Sequence, residues 1–418
     1  MVKRILMIAY HYPPMRGSSG IQRTLKFSQY LGNHGWQPTV LSAHPRAYAN
    51  TGDDQLGDIP QGMQVHRAFA FDTARHLSLF GRYPGWLALP DRWVSWWFGA
   101  VPAGLKLIRR QPPDVIWSTY PIATAHLVGL ALHRLTGIPW VADMRDPMTD
   151  DDYPANPFLR RLYRWIERQT ALHCELLVCT TRGAAEVYRA RFPGLPAAKF
   201  EVIENGYDEE NFINAEAIPL PHRPDGRLRL VHSGVIYPSE RDPTALFQAL
   251  ASLLASGAIA AANFHLTLRA TGHDAYIAAM IDEHQIGSVV SLAPHIAYRD
   301  ALAEMLGADG LLILQAANCN HQVPAKLYEY LRARRPVLAL TDPAGDTAAT
   351  LRTAGVDTIA PLDCPIGIAQ AIIRFIGLIS SGGAPLATPE TVQQYSRQAR
   401  TSRLSDLLDA AIAPSTHS

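Results

Sequence analysis

The sequence predicts an α/β protein built from two parallel-sheet domains in tandem. Three observations predict it. The chain has 418 residues, enough for two domains at roughly 100–200 residues each. Short apolar runs without polar alternation, as expected of strands buried on both faces, alternate with segments of helical period. A Pro-rich stretch, Pro219-Leu220-Pro221-His222-Arg223-Pro224, divides one such series from a second.

The first series opens with the apolar strand Arg4–Ala9. Pro13 to Gly20 is a Pro/Gly/Ser loop, and Ser19 to Asn33 has helical spacing, with Gly35 to end it. Strands follow at Thr39–Ser42, Val115–Thr119, Pro139–Asp143, Leu176–Thr180 and Phe200–Ile203. Helices lie at Ile122–Leu135, Pro157–His173 and Arg182–Arg191. This is a doubly wound parallel sheet. The second series has strands at Arg227–His232, Phe264–Arg269, Val289–Leu292, Gly310–Leu314, Pro336–Leu340 and Asp357–Ala360. Its helices fall at Pro243–Ala255, Ala275–His284, Tyr298–Leu306, Pro324–Arg332 and Asp346–Ala354. The expected boundaries are 1–205 for the first domain, 206–226 for a linker and 227–388 for the second domain. A C-terminal helix over 389–418 is free to pack on either domain, including back on the first.

Composition excludes several classes. Hydrophobic residues make up 48% and charged residues 18%, which is ordinary for a globular protein and excludes disorder and fibrous structure. The net charge of +1 gives no field for nucleic acid. That sum hides an asymmetry: residues 1–205 carry a net +7 and residues 206–418 a net −6. Either the first half faces something anionic, or surface charge has drifted. Cys174, Cys179, Cys319 and Cys364 show no metal spacing, and the first two flank a strand as core thiols. The apolar start is too short for a signal peptide, and no run reaches the length of a spanning helix. The expectation is a cytoplasmic protein, with peripheral attachment to a membrane left open.

Ligands of open α/β sheets bind at the carboxyl ends of strands, so functional residues are sought there. Gly17 and Gly20, in the loop after the first strand, let backbone approach a ligand at a helix N-terminus, or simply form a tight turn. Asp143-Met144-Arg145-Asp146-Pro147 puts three charges at one strand end, either to orient a hydroxyl or as a structural ion pair. Asp150-Asp151-Asp152 reads as a solvated turn rather than a metal site. Ser233-Gly234 ends the first strand of the second domain, and Arg241 follows, able to grip phosphate or to pair with Glu240 or Asp242. The segment from Asn318 through His321 to Leu331 starts a helix at Pro324. It sets Lys326 and Glu329 on one helix face, for phosphate and ribose or as a helix ion pair. Trp86 to Arg110 holds Trp93, Trp96 and Trp97 among basic residues, which suits a membrane interface, a sugar-stacking surface or a helix packed on the sheet.

Together these segments resemble a known family. They are the Pro13-Pro14-x-x-Gly17 loop, Pro90-Asp91-Arg92 with Trp97, Pro113-Asp114-Val115-Ile116 with Ser118-Thr119, and Asp143 to Pro147. To these are added Glu204-Asn205-Gly206-Tyr207-Asp208 and Lys326-Leu327-Tyr328-Glu329-Tyr330 followed by Pro336-Val337-Leu338-Ala339. In this order and spacing the chain resembles retaining glycosyltransferases of the GT-B fold, family 4-like. The resemblance implies two Rossmann-like domains facing across a cleft. It also implies a UDP- or GDP-sugar donor held mainly by the second domain, with no further cofactor and no metal. Glu329 would hold the ribose, while Arg241 and Lys326 would meet the diphosphate. Gly17 and Gly20 would approach it from the first domain. An acceptor saccharide, free or lipid-linked, would lie near Arg145 and Asp146, with Asp146 positioning its hydroxyl. The Trp93, Trp96 and Trp97 segment would face the acceptor or an anionic inner-membrane surface, serving cell-surface polysaccharide synthesis.

The chain departs from the pattern in three places. His321 stands where the first Glu of the E-x7-E motif belongs, Gly234 is followed by Val235 rather than Arg, and Arg145-Asp146 replaces His-Asp. Two rivals remain: a nucleotide-sugar epimerase of the same fold, and a catalytically degenerate nucleotide- or partner-binding protein.

Overall fold

The computed structural model describes residues 2–17, 20–53, 55–219 and 226–413. The chain forms two compact units, Met1–Glu204 with Arg397–Ser418, and Asn205–Ser396. The first holds a parallel sheet of seven strands: β1 (Lys3–Ile8), β2 (Trp36–Ala43), β3 (Gln64–Ala68), β4 (Val115–Thr119), β5 (Trp140–Arg145), β6 (Leu176–Cys179) and β7 (Phe200–Val202). Their order is β3-β2-β1-β4-β5-β6-β7. The helices of the first unit's main segment are α1 (Gly20–Tyr30), α2 (Thr73–His76), α3 (Ser95–Arg110), α4 (Ala123–Thr136), α5 (Pro157–His173) and α6 (Arg182–Arg191). β1 lies between β2 and β4, so the order reverses there and a crevice opens at the carboxyl ends of β1 and β4.

The second unit repeats the design with β8 (Leu228–Ser233), β9 (Phe264–Arg269), β10 (Val290–Ala293), β11 (Gly310–Leu314), β12 (Val337–Leu340) and β13 (Ile359–Ala360). The order is β10-β9-β8-β11-β12-β13, again all parallel, with the reversal between β8 and β11. Its helices are α7 (Glu209–Glu216), α8 (Thr244–Ala255), α9 (Asp274–Glu283), α10 (Tyr298–Gly307), α11 (Lys326–Ala333), α12 (Asp346–Thr353), α13 (Pro365–Ser380) and α14 (Pro389–Gln394). A last helix, α15 (Arg397–Ile412), returns to the first unit, where Leu404, Leu407 and Leu408 pack with Ile5, Met7 and Trp117.

Most sequence expectations fall within a residue or two of these elements, and several need correction. β3 was not foreseen, because its mostly half-buried residues at the sheet edge lack a continuous apolar run. α13, which buries Ile368, Ile372 and Phe375, was also missed. The expected linker over 206–226 contains α7, whose Phe212 and Ala215 belong to the core of the second unit. Beyond Pro219, the Pro-rich stretch lies outside the described residues. The single helix expected from 389 breaks at Tyr395-Ser396, where Tyr207 N–H donates to the Tyr395 carbonyl.

The tryptophan segment also needs correction. Trp96 is fully buried in the first core, so it faces neither an acceptor nor a membrane. Trp93 packs at 5.2 Å from Tyr10, and Trp97 donates from Nε1 to the Leu127 carbonyl. Both are half-buried against the core and serve α3 packing. Cys174 and Cys179 are buried, as expected, and burial pushes the Cys174 thiol up to about 12.

Candidate functional site

In the first unit the charged run ends β5, with Asp143 and Arg145 inside the strand and Asp146 just after it. Asp143 and Arg23 are both fully buried and form a two-pronged ion pair, Nε to Oδ2 at 2.9 Å and Nη2 to Oδ1 at 2.8 Å. Thr119 Oγ1 donates to Asp143 at 2.7 Å, and Arg23 also donates to the carbonyls of Ile203 and Glu204. Asp143 is therefore saturated and ties β5 to α1, β4 and the end of the sheet. Its structural reading holds.

Two residues on, the situation reverses. Register slips between Asp143 and Arg145, and Arg145 takes φ +62°, a costly backbone for a residue with a Cβ. Its Nη1 reaches the Tyr120 carbonyl at 3.4 Å, yet its buried Nε has no hydrogen-bond partner among the described residues. Desolvation lowers its pKa. His11, buried in the loop after β1, is pushed down to about 3 by burial and then by the charge of Arg145, so it is neutral at pH 7. Asp146 accepts from Thr180 Oγ1 at 2.9 Å and is half-buried. Arg145, Asp146 and His11 thus meet at the carboxyl edge of the first sheet. Gly17 takes φ +81°, and Gly20 is the buried first residue of α1. Asp150 is spent on its own turn, accepting from the backbone of Asp152 and Tyr153.

In the second unit the switch point carries a cluster of cations. Lys326, the first residue of α11, extends its Nζ to His232 Nε2 at 3.2 Å. His232 is fully buried at the end of β8 and donates from Nδ1 to the Leu312 carbonyl at 2.9 Å. That bond fixes the neutral tautomer and leaves Nε2 as acceptor. Burial and then the charge of Lys326 hold His232 well below the usual histidine range. Lys326 is itself lowered to about 7, by burial first and then by Arg241, with Glu329 pulling the other way. Gly234 makes room for the ammonium: it takes φ +110°, and a Cβ there would lie 3.1 Å from Lys326 Nζ.

The neighbouring groups frame that cluster. Tyr330 Oη accepts from Ser233 N–H at 3.0 Å. Arg241 is half-buried, donates to the Val235 carbonyl, and lies 5.4 Å from the Tyr237 ring centroid. Glu329 accepts from Tyr298 Oη at 2.6 Å. His321 is exposed in the loop before α11, where Gln315 Nε2 donates to the carbonyls of Cys319 and Gln322. A groove of about 670 Å³ opens at the carboxyl ends of β11, β12 and β13, lined by Gln315, Asp342 and Asp363 and by Asp242, Thr244 and Gln248.

Sequence reasoning chose Lys326, Arg241, Gly234 and Ser233, which this unit brings to one strand end. It missed His232, Tyr330 and Tyr298 here, and His11 and Thr180 in the first unit. His232 carried a signal: a histidine near the end of a largely apolar strand, two residues before a glycine.

The fold of two parallel-sheet α/β units matches that of GT-B glycosyltransferase structures. Residues 19–206 match the glycosyl transferase 4-like domain, so the resemblance read from the motifs stands. A sucrose-phosphate synthase of Thermosynechococcus elongatus superposes with a TM-score of 0.67 at 15% identity, covering 98% of this chain and 99% of that one. Anabaena HepE, solved in complex with UDP and glucose, gives 0.64 at 13% identity, covering 98% and 100%. A UDP-GlcNAc 2-epimerase of Neisseria meningitidis, bound to UDP-GlcNAc, gives 0.55 at 12% identity, covering 97% and 100%. At these identities the likeness is one of fold. No curated protein sequence matches the chain. Among the described residues no helix is long and apolar enough to cross a membrane.

Proposed function

We propose that the protein is a retaining glycosyltransferase that moves a hexosyl group from a UDP- or GDP-sugar to a saccharide acceptor. The observation that carries this reading is the cation cluster at the β8 switch point. An ammonium held beside a guanidinium and seated on a neutral imidazole has its charge disfavoured in the unliganded protein. An anion with two or more negative charges relieves that cost, and a diphosphate suits it.

In this reading Lys326 and Arg241 hold the diphosphate, and Gly234, which has no side chain, lets it approach the Ser233-Gly234 end of β8, whose two N–H groups are already bonded to Tyr330 Oη and the Arg269 carbonyl. Glu329 takes the ribose hydroxyls, and His321 faces the transferred sugar. Arg145 and Asp146 belong to the acceptor side. The bond from the anomeric carbon to the diphosphate oxygen breaks as the acceptor oxygen bonds to that carbon from the same face. The acceptor proton passes to the leaving phosphate oxygen. The two cations stabilise the charge on the leaving group without a metal. The acceptor is a glycan or lipid-linked saccharide at the inner membrane face, with the protein cytoplasmic and peripheral, in cell-surface polysaccharide synthesis. The basic first half supports that placement.

The experiment is a thermal-shift panel with UDP, GDP, ADP and their common sugars, followed by donor turnover. A nucleotide at 100 times its dissociation constant stabilises the fold by about 2.7 kcal/mol. Stabilisation by one nucleotide, lost in Lys326→Met, is expected. Absence of a shift with every nucleotide overturns the donor-site reading. Sugar interconversion without an acceptor would move the assignment to the epimerase.

A further inference from the structure

Helix α5 presents a face that neither the core of its unit nor the Arg145 cluster uses. Phe158, Arg161, Arg164, Trp165, Arg168 and Leu172 are all exposed. At 3.6 residues per turn they fall within one arc of about 120°. Phe158, Trp165 and Leu172, exposed by 60%, 48% and 42%, repeat every two turns, with the arginines between them. The opposite side of the helix is buried through Tyr163, Ile166, Thr170 and Ala171. The one acidic residue of the helix, Glu167, is turned inward. There it accepts from the backbone of Met148 and Thr149, from Tyr188 Oη and from Arg191. The outer arc is therefore uniformly cationic and one-half apolar.

The basic surface continues past the helix end. Arg134 donates to Gln169 and stands 2.7 Å from His173 Nε2. His133 and Lys199 add to the positive potential at His173. Leu135, 63% exposed, ends α4 beside them. The aspartates at 150–152 precede the helix, and their segment lies against its first turns, where the Arg160 guanidinium donates to the carbonyls of Asp151 and Asp152.

We infer that this face of α5 docks on an anionic lipid bilayer. Arginines would sit among the headgroup phosphates, with Phe158, Trp165 and Leu172 at the acyl boundary. Charge selects this occupant. A second copy pairing through the same face would set arginine against arginine, which is destabilising. Nucleic acid would leave the apolar half of the stripe unused. For its purpose such a face rests on the lipid-linked acceptor proposed above, but vesicle binding and donor binding fail separately.

The test is co-sedimentation of the full chain with vesicles of phosphatidylcholine containing phosphatidylglycerol, against phosphatidylcholine alone and against duplex DNA. The anionic vesicles are expected to bind tightest. The Arg161→Gln/Arg164→Gln/Arg168→Gln variant is expected to bind them about 100-fold more weakly, at roughly 1 kcal/mol for each arginine. Phe158→Ala/Trp165→Ala is expected to weaken binding about ten-fold. All five substituted positions are on the surface, so melting curves of both variants should match the parent. Equal binding to both vesicle types, or an unchanged triple variant, overturns the inference. Binding to DNA as tight as to anionic vesicles and indifferent to Phe158 and Trp165 makes the face a polyanion site and equally overturns it. An intact nucleotide shift in the same variants keeps the donor reading separate from either result.

Discussion

The two sheets end in charged clusters of opposite character. At the edge of the first, Arg23 and Asp143 are one-to-one, fully buried and saturated by Thr119 and two carbonyls. At the edge of the second, Lys326 has a neutral imidazole for its partner and Arg241 for its neighbour. A closed pair of charges has nothing left to offer a ligand. A cation lowered to about 7 is held at a cost that an anion can remove. Charge density at a strand end does not by itself identify a site. The sign that remains after internal pairing does.

The largest effect that would break this contrast is structural. Asp143→Asn removes the counter-charge of a buried guanidinium and is expected to destabilise the first unit by about 3–5 kcal/mol. Urea unfolding would show it as a lower midpoint at constant slope. Arg23→Met/Asp143→Leu should lose less than either single change, because no buried charge is stranded. A near-neutral Asp143→Asn that lost turnover would move Asp143 from scaffold to site.

The next effects lie in turnover. Lys326→Met is expected to lower donor turnover about 100- to 1,000-fold. It should leave the unliganded protein as stable or more so at pH 7, since it deletes a charge the fold disfavours. Asp146→Asn, held by a single side-chain bond from Thr180, is expected to cost turnover about 100-fold with little change in melting temperature. If Lys326→Met unfolds the protein, the lysine is part of the scaffold and the contrast fails.

Lys326 also sets a pH dependence. Its folded value lies near 7 against 10.5 for an ordinary lysine, so between those values the folded state binds fewer protons than the unfolded chain. Stability of the unliganded protein therefore rises with pH across that window. Donor binding should run the other way. A diphosphate favours the ammonium, so its affinity falls up to about ten-fold per pH unit above pH 7. Calorimetry in buffers of different ionisation enthalpy would register proton uptake on binding. A pH-independent nucleotide affinity would show that Lys326 does not meet the phosphates.

Much of this was legible in the sequence, and the failures have physical reasons. β11 is buried throughout and reads as an unbroken apolar run, and β1 carries another from Ile5 to Ile8, whereas β3, at an edge, reads as nothing in particular. Lys326, Arg241 and Gly234 stood out because they follow strands. His232 did not, because its role depends on Leu312 and Lys326, 80 and 94 residues away. Trp96 was placed at a surface because aromatic residues beside arginines have the same composition in a membrane-facing stripe as in a helix packed on a sheet. Only burial separates the two, and it sends Trp96 inward while leaving Trp165, on a helix not singled out, facing solvent.

The smallest effect sharpens the contrast most. Gly234 is needed for two separable reasons. Its φ of +110° disfavours any residue with a Cβ, and Gly234→Ala is expected to cost about 1–2 kcal/mol of stability on that account. Its missing side chain also leaves the space that the Lys326 ammonium occupies, at 3.1 Å from where a Cβ would lie. A flexible lysine can retreat by a few tenths of an ångström, and in doing so it leaves His232 and the position a phosphate would share. Nucleotide affinity should therefore fall about ten-fold in Gly234→Ala, beyond what the stability change explains. Gly35→Ala, also at positive φ but with open space around its missing side chain and away from the donor site, should show only the backbone cost. If Gly234→Ala loses stability and keeps its nucleotide affinity, the glycine is only a turn residue. The ammonium would then not be seated by the end of β8, and the two strand ends would differ less than their pairing suggests.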